Sequence, residues 1–60
     1  MINKQKLLTV KEVSKILGMS TSTIYTMVHQ RRIPVVILYG GNSPIIRFEP
    51  VALESWLNSL

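Results

Sequence analysis

Two helix-start signals with a glycine between them constrain the first half of this chain more than any other feature. Thr9 and Glu12 have the spacing of a capping box, in which each side chain accepts a hydrogen bond from the backbone N–H of the other residue. Gly18 suits the left-handed conformation that ends many helices, and Ser20 is a second N-cap candidate. The sequence therefore predicts a helix over residues 10–17, a short turn, and a second helix directly after the serine.

Apolar residues at helical spacing give each of these two helices a face for a core. We expect the second helix to run from residue 21 to about residue 31, with Arg31 and Arg32 near the negative pole of its last turn. The residues expected to point inward are Val10, Val13 and Leu17 in the first helix, with Ile16 beside this face, and Ile24, Met27 and Val28 in the second.

The second half of the chain predicts a β-hairpin followed by a third helix. A run rich in β-branched residues follows Pro34, which favours a strand over residues 35–39 and a return strand over residues 45–48. The turn between them contains Gly40, Gly41, Asn42 and Ser43. Pro50 suits the first turn of a helix that carries Val51 and an expected core face of Leu53, Trp56, Leu57 and Leu60. The predicted fold is mainly α with a β-hairpin, in the order α-α-β-β-α, as in a winged helix-turn-helix.

Only one face of a two-stranded hairpin can pack on the helices, because side chains alternate along a strand. We expect the inward residues to be Val36, Leu38, Ile46 and Phe48, and the outward residues to be Val35, Ile37, Tyr39 and Ile45. An exposed apolar row favours self-association or another protein contact through the hairpin face. The alternative is that the N-terminal arm or the third helix covers this row.

The charge of the chain favours a polyanionic partner. Seven Lys and Arg residues stand against three acidic residues, which gives a formal net charge of +4. Because each neutralised phosphate releases condensed counterions, a basic chain gains free energy on binding nucleic acid. The alternative is that the charge only keeps a small protein in solution.

Length and composition predict one small domain over residues 1–60, with residues 1–6 as a flexible basic arm. The sequence has no cysteine, so disulfides and thiolate metal sites are excluded. Neither a signal-peptide pattern nor an apolar run of membrane-spanning length occurs, so we expect a cytoplasmic protein without a membrane partner.

The titratable residues argue against catalysis. The chain has one histidine, three acidic residues and no cysteine, which is too few for a nucleophile, a base and an orienting group in one pocket. The same residues cannot supply a tetrahedral zinc site. We therefore expect no catalytic residue, no metal site and no cofactor.

A short helix, a glycine-containing turn and a second helix with a polar start are typical of a helix-turn-helix, whose second helix enters the major groove of DNA. The alternative is a helical hairpin that only packs. Hydroxyl groups and arginines can bind phosphates or base edges. The predicted DNA-binding residues are Ser20, Thr21, Ser22, Tyr25, Thr26, Arg31, Arg32 and Arg47. His29 is interpreted as an ordinary surface residue.

Five stretches of the sequence, in this order and spacing, resemble the excisionase family of helix-turn-helix domains. These are residues 7–12, 17–20, 22–25, 33–34 and 52–57. The family is similar in fold to the DNA-binding domains of MerR-type regulators. The resemblance implies double-stranded DNA as a partner, a recognition helix, and a hairpin wing whose tip is residues 40–43.

Two departures from the family pattern predict weaker DNA binding. Thr21 and Thr26 stand where members usually carry Arg or Lys, and the wing tip has no charge, whereas Arg47 matches an arginine common on the return strand. The resemblance implies an accessory or regulatory protein that directs a recombinase or integrase, or that controls transcription of a mobile element. The alternative function is a protein-interaction module on a winged-helix fold.

Overall fold

A computed structural model describes residues 6–60 of the chain. Within them it contains three helices and a two-stranded antiparallel sheet. The elements in chain order are α1 (Val10–Leu17), α2 (Thr21–His29), β1 (Val36–Tyr39), β2 (Pro44–Arg47) and α3 (Pro50–Asn58). The predicted winged helix-turn-helix with the order α-α-β-β-α is confirmed. Apart from Lys6, the predicted N-terminal arm lies outside the described residues.

Both predicted N-caps are present. The N–H of Glu12 donates to Thr9 Oγ1 over 3.1 Å, and the N–H of Thr9 donates to Glu12 Oε1 over 2.9 Å. Gly18 adopts φ 67°, which is the left-handed conformation expected at the end of α1. Ser20 Oγ accepts a hydrogen bond from the N–H of Thr23 at 3.2 Å. Local capping chemistry therefore fixes the turn between the first two helices.

The predicted end of α2 is wrong by two residues, since the helix ends at His29. Arg31 takes φ 56°, and its N–H donates to the carbonyl of Val28 over 3.1 Å. The N–H of Arg32 donates to the carbonyl of Met27 over 2.9 Å. These two bonds form a Schellman motif with an arginine where glycine is usual, so the arginines follow the helix instead of completing its last turn.

The core is built from the three helices and from the segments that flank the hairpin. Its buried members are Val10, Val13, Ile24, Ile33, Phe48 and Leu53. Phe48 is fully buried, and its backbone exchanges two hydrogen bonds of 2.7 and 2.8 Å with Leu8. The segment before α1 is thereby fastened to the end of β2, which holds the hairpin against the helices.

Several apolar residues of the helices are exposed, including the predicted inward residues Leu57 and Leu60. Ile16 is 57% exposed because it lies at the edge of the α1 face formed by the buried valines. Val51 is 53% exposed, since it stands about 200° around α3 from Leu53. Leu60 is 82% exposed because it follows the end of α3, and Leu57 is 37% exposed. In α3, Leu53 and the partly buried Trp56 supply the core contacts.

The hairpin register corrects the predicted strand faces. The paired residues are Val36 with Arg47, Ile37 with Ile46, Leu38 with Ile45, and Tyr39 with Pro44. Directly opposite residues share a face of the sheet, so Ile37 lies on the same face as Ile46. The predicted faces place these two residues on opposite sides of the sheet, so they correspond to a register shifted by one residue from the observed one.

The observed core-facing side of the hairpin carries Val35, Ile46 and the buried Phe48. By alternation, Ile37 and Tyr39 belong to this face, and Val36 and Leu38 belong to the other. The outward assignment of Val35 and the inward assignments of Val36 and Leu38 are therefore wrong. Ile37 and Tyr39 are exposed as expected, although they lie on the core-facing side of the hairpin. The strands also start at residues 36 and 44, not at 35 and 45, and the second ends at residue 47.

Candidate nucleic-acid interface

One face of α2 presents polar side chains along its whole length. Ile24 is fully buried, which turns the opposite face of the helix outward. Thr21, Ser22, Tyr25 and Thr26 are all exposed, and residues three or four apart on a helix are surface neighbours. His29 is exposed on the same helix. The predicted recognition residues of α2 therefore form one surface.

The hydroxyl groups on this surface differ in their freedom to bind a ligand. Ser20 Oγ is occupied as the N-cap and also lies 2.9 Å from Thr23 Oγ1. Thr26 Oγ1 donates to the carbonyl of Ser22 over 3.0 Å, so it can only accept a hydrogen bond from a ligand. Among the hydrogen bonds of residues 6–60, none uses the hydroxyl of Thr21. That hydroxyl can both donate and accept.

A cleft of about 410 Å³ opens between the start of α1, α2 and β2. Its lining residues are Thr9, Val10, Lys11, Tyr25, Pro44, Ile46 and Arg47. Tyr25 is 45% exposed and belongs both to this cleft and to the polar face of α2. The cleft thus joins two cations, Lys11 and Arg47, to the predicted recognition surface.

The guanidinium of Arg47 is held in place by the chain itself. Its Nη1 donates to the carbonyl of Ile46 over 2.8 Å, and the side chain is partly buried. A fixed guanidinium loses less conformational entropy when it binds a phosphate than a freely rotating one.

One carboxylate lies near these cations. Hydrogen bonds from the backbone and side chain of Thr9, followed by the charges of Lys6 and Arg47, lower the pKa of Glu12. Glu12 is therefore ionised at neutral pH. With Lys6, Lys11 and Arg47 nearby, three positive charges minus one negative charge leave this end of the cleft at +2.

The other two predicted arginines lie elsewhere. Arg32 is exposed after α2, where its Nη1 donates to Gln30 Oε1 over 3.3 Å. Arg31 lines a second cleft of about 400 Å³ with Val28, Ile33, Val35 and Ile37. The two clefts share no lining residue, so Arg31 and Arg47 line different clefts.

The predicted wing residues form the exposed turn of the hairpin. Residues 40–43 connect Tyr39 to its partner Pro44, and Gly41 has φ 126°, which only glycine adopts readily. The turn contains no charged residue. It therefore adds no phosphate-binding charge to the interface.

Lys11 is a candidate interface residue that sequence reasoning missed. Helical periodicity shows only that it points away from the core, as do many surface lysines. Its position beside Tyr25 and Arg47 depends on how α1, α2 and β2 pack together. No local signal in the sequence carries this information.

The fold and this interface define a winged helix-turn-helix protein. No group of three metal-ligating side chains occurs within residues 6–60, and no helix there is long and apolar enough to cross a membrane. The family described as a helix-turn-helix domain matches residues 7–60, and the chain belongs to that family. This membership confirms the resemblance to excisionase-type helix-turn-helix domains and supports DNA as a partner. Comparisons with curated proteins and with solved structures give no match.

Proposed function

We propose that this chain is a double-stranded DNA-binding accessory or regulatory protein that reads the major groove with α2. The proposal is supported above all by one observation: Tyr25 joins the polar face of α2 to the cleft that holds Lys11 and Arg47. A surface that combines hydroxyl groups for base edges with cations for phosphates matches the two kinds of contact that DNA recognition requires.

The dimensions of α2 suit this function. An α-helix with its side chains is about 10–12 Å across, which fits the major-groove width of about 12 Å, and the nine residues of α2 form about two and a half turns. In the proposed complex Thr21 and Ser22, at the start of α2, face base edges. Tyr25, Lys11 and Arg47 bind the flanking phosphates. The proposed interface leaves out Arg31, because this residue lines the other cleft.

The number of cations sets the expected strength of binding. Lys11 and Arg47 in the cleft, with the exposed Arg32 as a further candidate, give two or three phosphate contacts. Each contact contributes about −0.9 to the slope of log K against log salt concentration, so we expect a slope of about −2 to −3. Binding is therefore weak at physiological salt, as the uncharged wing tip also predicts.

The role of this binding is proposed from the family. Excisionase-type domains bend DNA and direct an integrase towards excision, which supports an accessory role in recombination, with transcription control of a mobile element as the alternative. A circular-permutation gel assay on a bound duplex tests this choice. A bend supports the recombination role, and a straight complex supports transcription control. The cytoplasm remains our expectation for the location of the protein.

A protein-interaction module is the second candidate function. It is favoured by the exposed apolar side chains of β1, Ile37, Leu38 and Tyr39. The two functions are compatible, because β1 contributes no residue to the cleft that holds Lys11 and Arg47.

Fluorescence anisotropy on a random duplex of about 20 base pairs, at about 50 and 150 mM salt, tests DNA binding. We expect Lys11→Ala and Arg47→Ala each to weaken binding to all sequences and to reduce the salt slope by about one unit. Thr21→Ala and Ser22→Ala should instead change the preference among sequences.

The matched control is Lys15→Ala, which removes an equal charge from the exposed last turn of α1, outside the cleft. We expect this variant to retain most of the wild-type affinity and the full salt slope. If the control weakens binding as much as Arg47→Ala does, the attraction comes from net charge alone and the proposed interface is wrong.

A further inference from the structure

The outer edge of β1 is open, and the structure fixes which of its backbone groups face outward. Phe48 exchanges hydrogen bonds with Leu8, so its N–H and C=O point away from β1. Backbone groups alternate in direction along an antiparallel strand, so those of Arg47 point towards β1 and bond with Val36. By the same alternation, Leu38 is the next residue of β1 whose backbone groups bond with β2.

Three residues of this segment therefore direct their backbone groups away from β2. They are Val35, Ile37 and Tyr39. The pairing of Tyr39 with Pro44 agrees with this phase, because proline has no N–H to donate across the pair. The sheet of the described residues has two strands, so the outer edge of β1 has no strand partner.

Apart from its short length of four residues, the open edge lacks the features that normally prevent strand pairing. No charged residue occurs between Pro34 and Ile46, and β1 itself contains no proline. Natural edge strands are usually protected by lysine, proline or a bulge. In β1, Ile37 is 44% exposed, Leu38 41% and Tyr39 80%.

A mainly apolar cleft runs beside this edge. Val28, Ile33, Val35 and Ile37 line it together with Arg31. A strand added about 4.8 Å from β1 would place alternate side chains over this cleft.

We propose that the occupant is β1 of a second copy of this chain, paired antiparallel about a twofold axis at Ile37. The outward backbone groups at residues 35, 37 and 39 are symmetric about the central residue, as an isologous contact requires. In this register Ile37 pairs with itself, and Val35 pairs with Tyr39 of the second copy. The two hairpins then form one four-stranded sheet.

The side chains support a second copy as the occupant. Tyr39 shares the face of Val35 and Ile37, so in the dimer its ring lies over Val35 of the other copy, beside Arg31. A guanidinium against a tyrosine ring is an attractive cation–π contact. This arrangement covers Tyr39, the most exposed aromatic side chain of the described residues, and places its ring beside Arg31 in the apolar cleft of the other copy.

The contact is small, since β1 has four residues, and we expect a weak, concentration-dependent dimer. None of the residues in the contact lines the cleft proposed for DNA. The inference therefore goes beyond the proposed function and stands or falls without it.

Disulfide trapping tests the register, because the sequence has no cysteine. In the dimer the two Ile37 Cα atoms form a hydrogen-bonded pair about 5.5 Å apart, within the range of about 4.4–6.8 Å that a disulfide bridges. The two Leu38 Cα atoms are offset by two residues and lie about 8 Å apart, outside that range.

We expect Ile37→Cys to form a disulfide dimer at least about tenfold faster than Leu38→Cys under mild oxidation, although the two native side chains are almost equally exposed. Circular dichroism of the reduced variants checks that both remain folded. Equal rates for the two variants would show random collision and overturn the proposal.

Sedimentation equilibrium up to about 1 mM provides a second measurement. Tyr39→Lys and Leu60→Lys each replace an apolar side chain that is at least 80% exposed with a lysine. We expect the wild type and Leu60→Lys to self-associate and Tyr39→Lys to remain monomeric. If the wild type is monomeric at this concentration, the proposal is wrong. The alternative occupant of the open edge is then an extended segment of another protein. Loss of DNA binding with an intact dimer would instead refute only the proposed function.

Discussion

The capping box at the start of α1 offers a direct test of how this small fold is stabilised. Thr9→Ala removes the oxygen that accepts from the N–H of Glu12 over 3.1 Å. Loss of an N-cap side chain costs about 1 kcal/mol of unfolding free energy. At about 2.1 cal/mol/K per residue, the unfolding entropy of 60 residues is about 0.13 kcal/mol/K, so the expected fall in Tm is about 8 °C.

The other half of the box gives a pH dependence with a defined sign. The pKa of Glu12 is lowered in the folded chain, first of all by the hydrogen bond from the Thr9 backbone. The ionised carboxylate therefore stabilises the fold above its unfolded pKa near 4.5, and this stabilisation is lost as the pH falls through the lower folded value. We expect Glu12→Gln to lose less of its Tm between about pH 7 and pH 3 than the wild type does.

Far-UV circular dichroism melts measure both effects. The matched control is Thr21→Ala, the same chemical change at the exposed first residue of α2, where the hydroxyl has no partner among the hydrogen bonds of residues 6–60. We expect the control to change the unfolding free energy by less than about 0.5 kcal/mol. If Thr9→Ala melts within about 2 °C of the wild type, or if the control falls as far, the capping box does not stabilise the fold as argued.

Three further substitutions test the core, the turn and the interface. Phe48→Ala removes a fully buried ring, and the expected cost of about 3–5 kcal/mol should leave the chain largely unfolded at 25 °C by circular dichroism. Gly18→Ala meets no atom within 4 Å, so backbone strain at φ 67° alone should lower the unfolding free energy by about 1–2 kcal/mol, measured as a lower urea midpoint at constant m-value. Tyr25→Phe keeps the half-exposed ring, so Tm should hold while DNA affinity falls by about twofold to tenfold.

The helix starts could be predicted because their signals are local. Thr9, Ser20 and Pro50 each act within three or four residues of the helix that they begin, and all three stand where the sequence placed them. The end of α2 could not be predicted in the same way. Arg31 adopts the left-handed conformation although it is not glycine, so the residue gives no signal that a Schellman motif closes there.

The hairpin faces show a different limit. Alternation predicts two possible faces and leaves the choice between them to the register and to packing. The pairing of Tyr39 with Pro44 fixes the register, and the backbone contact between Leu8 and Phe48 ties one face to the core. Both contacts depend on the folded chain, as does the position of Lys11 beside Tyr25. The polar residues along α2 and Arg47 could be predicted from sequence, whereas the position of Lys11 beside them could not.

The two edges of the hairpin differ in charge and polarity, and they separate two arginines that are both predicted from the sequence to bind DNA. Arg47 lies in the cleft with Lys11, whereas Arg31 lies in the apolar cleft beside β1. At the end of β2, Leu8 occupies the outer side of the sheet, so among residues 6–60 the β1 edge is the one open along its whole length to another strand. DNA binding and self-pairing therefore do not compete.

One copy brings few cations to DNA and is expected to bind it weakly. Pairing two copies raises the effective concentration of the second DNA-binding face near the first, and this strengthens binding. Under both proposals, pairing through the uncharged edge of β1 strengthens DNA binding, which the uncharged wing tip does not.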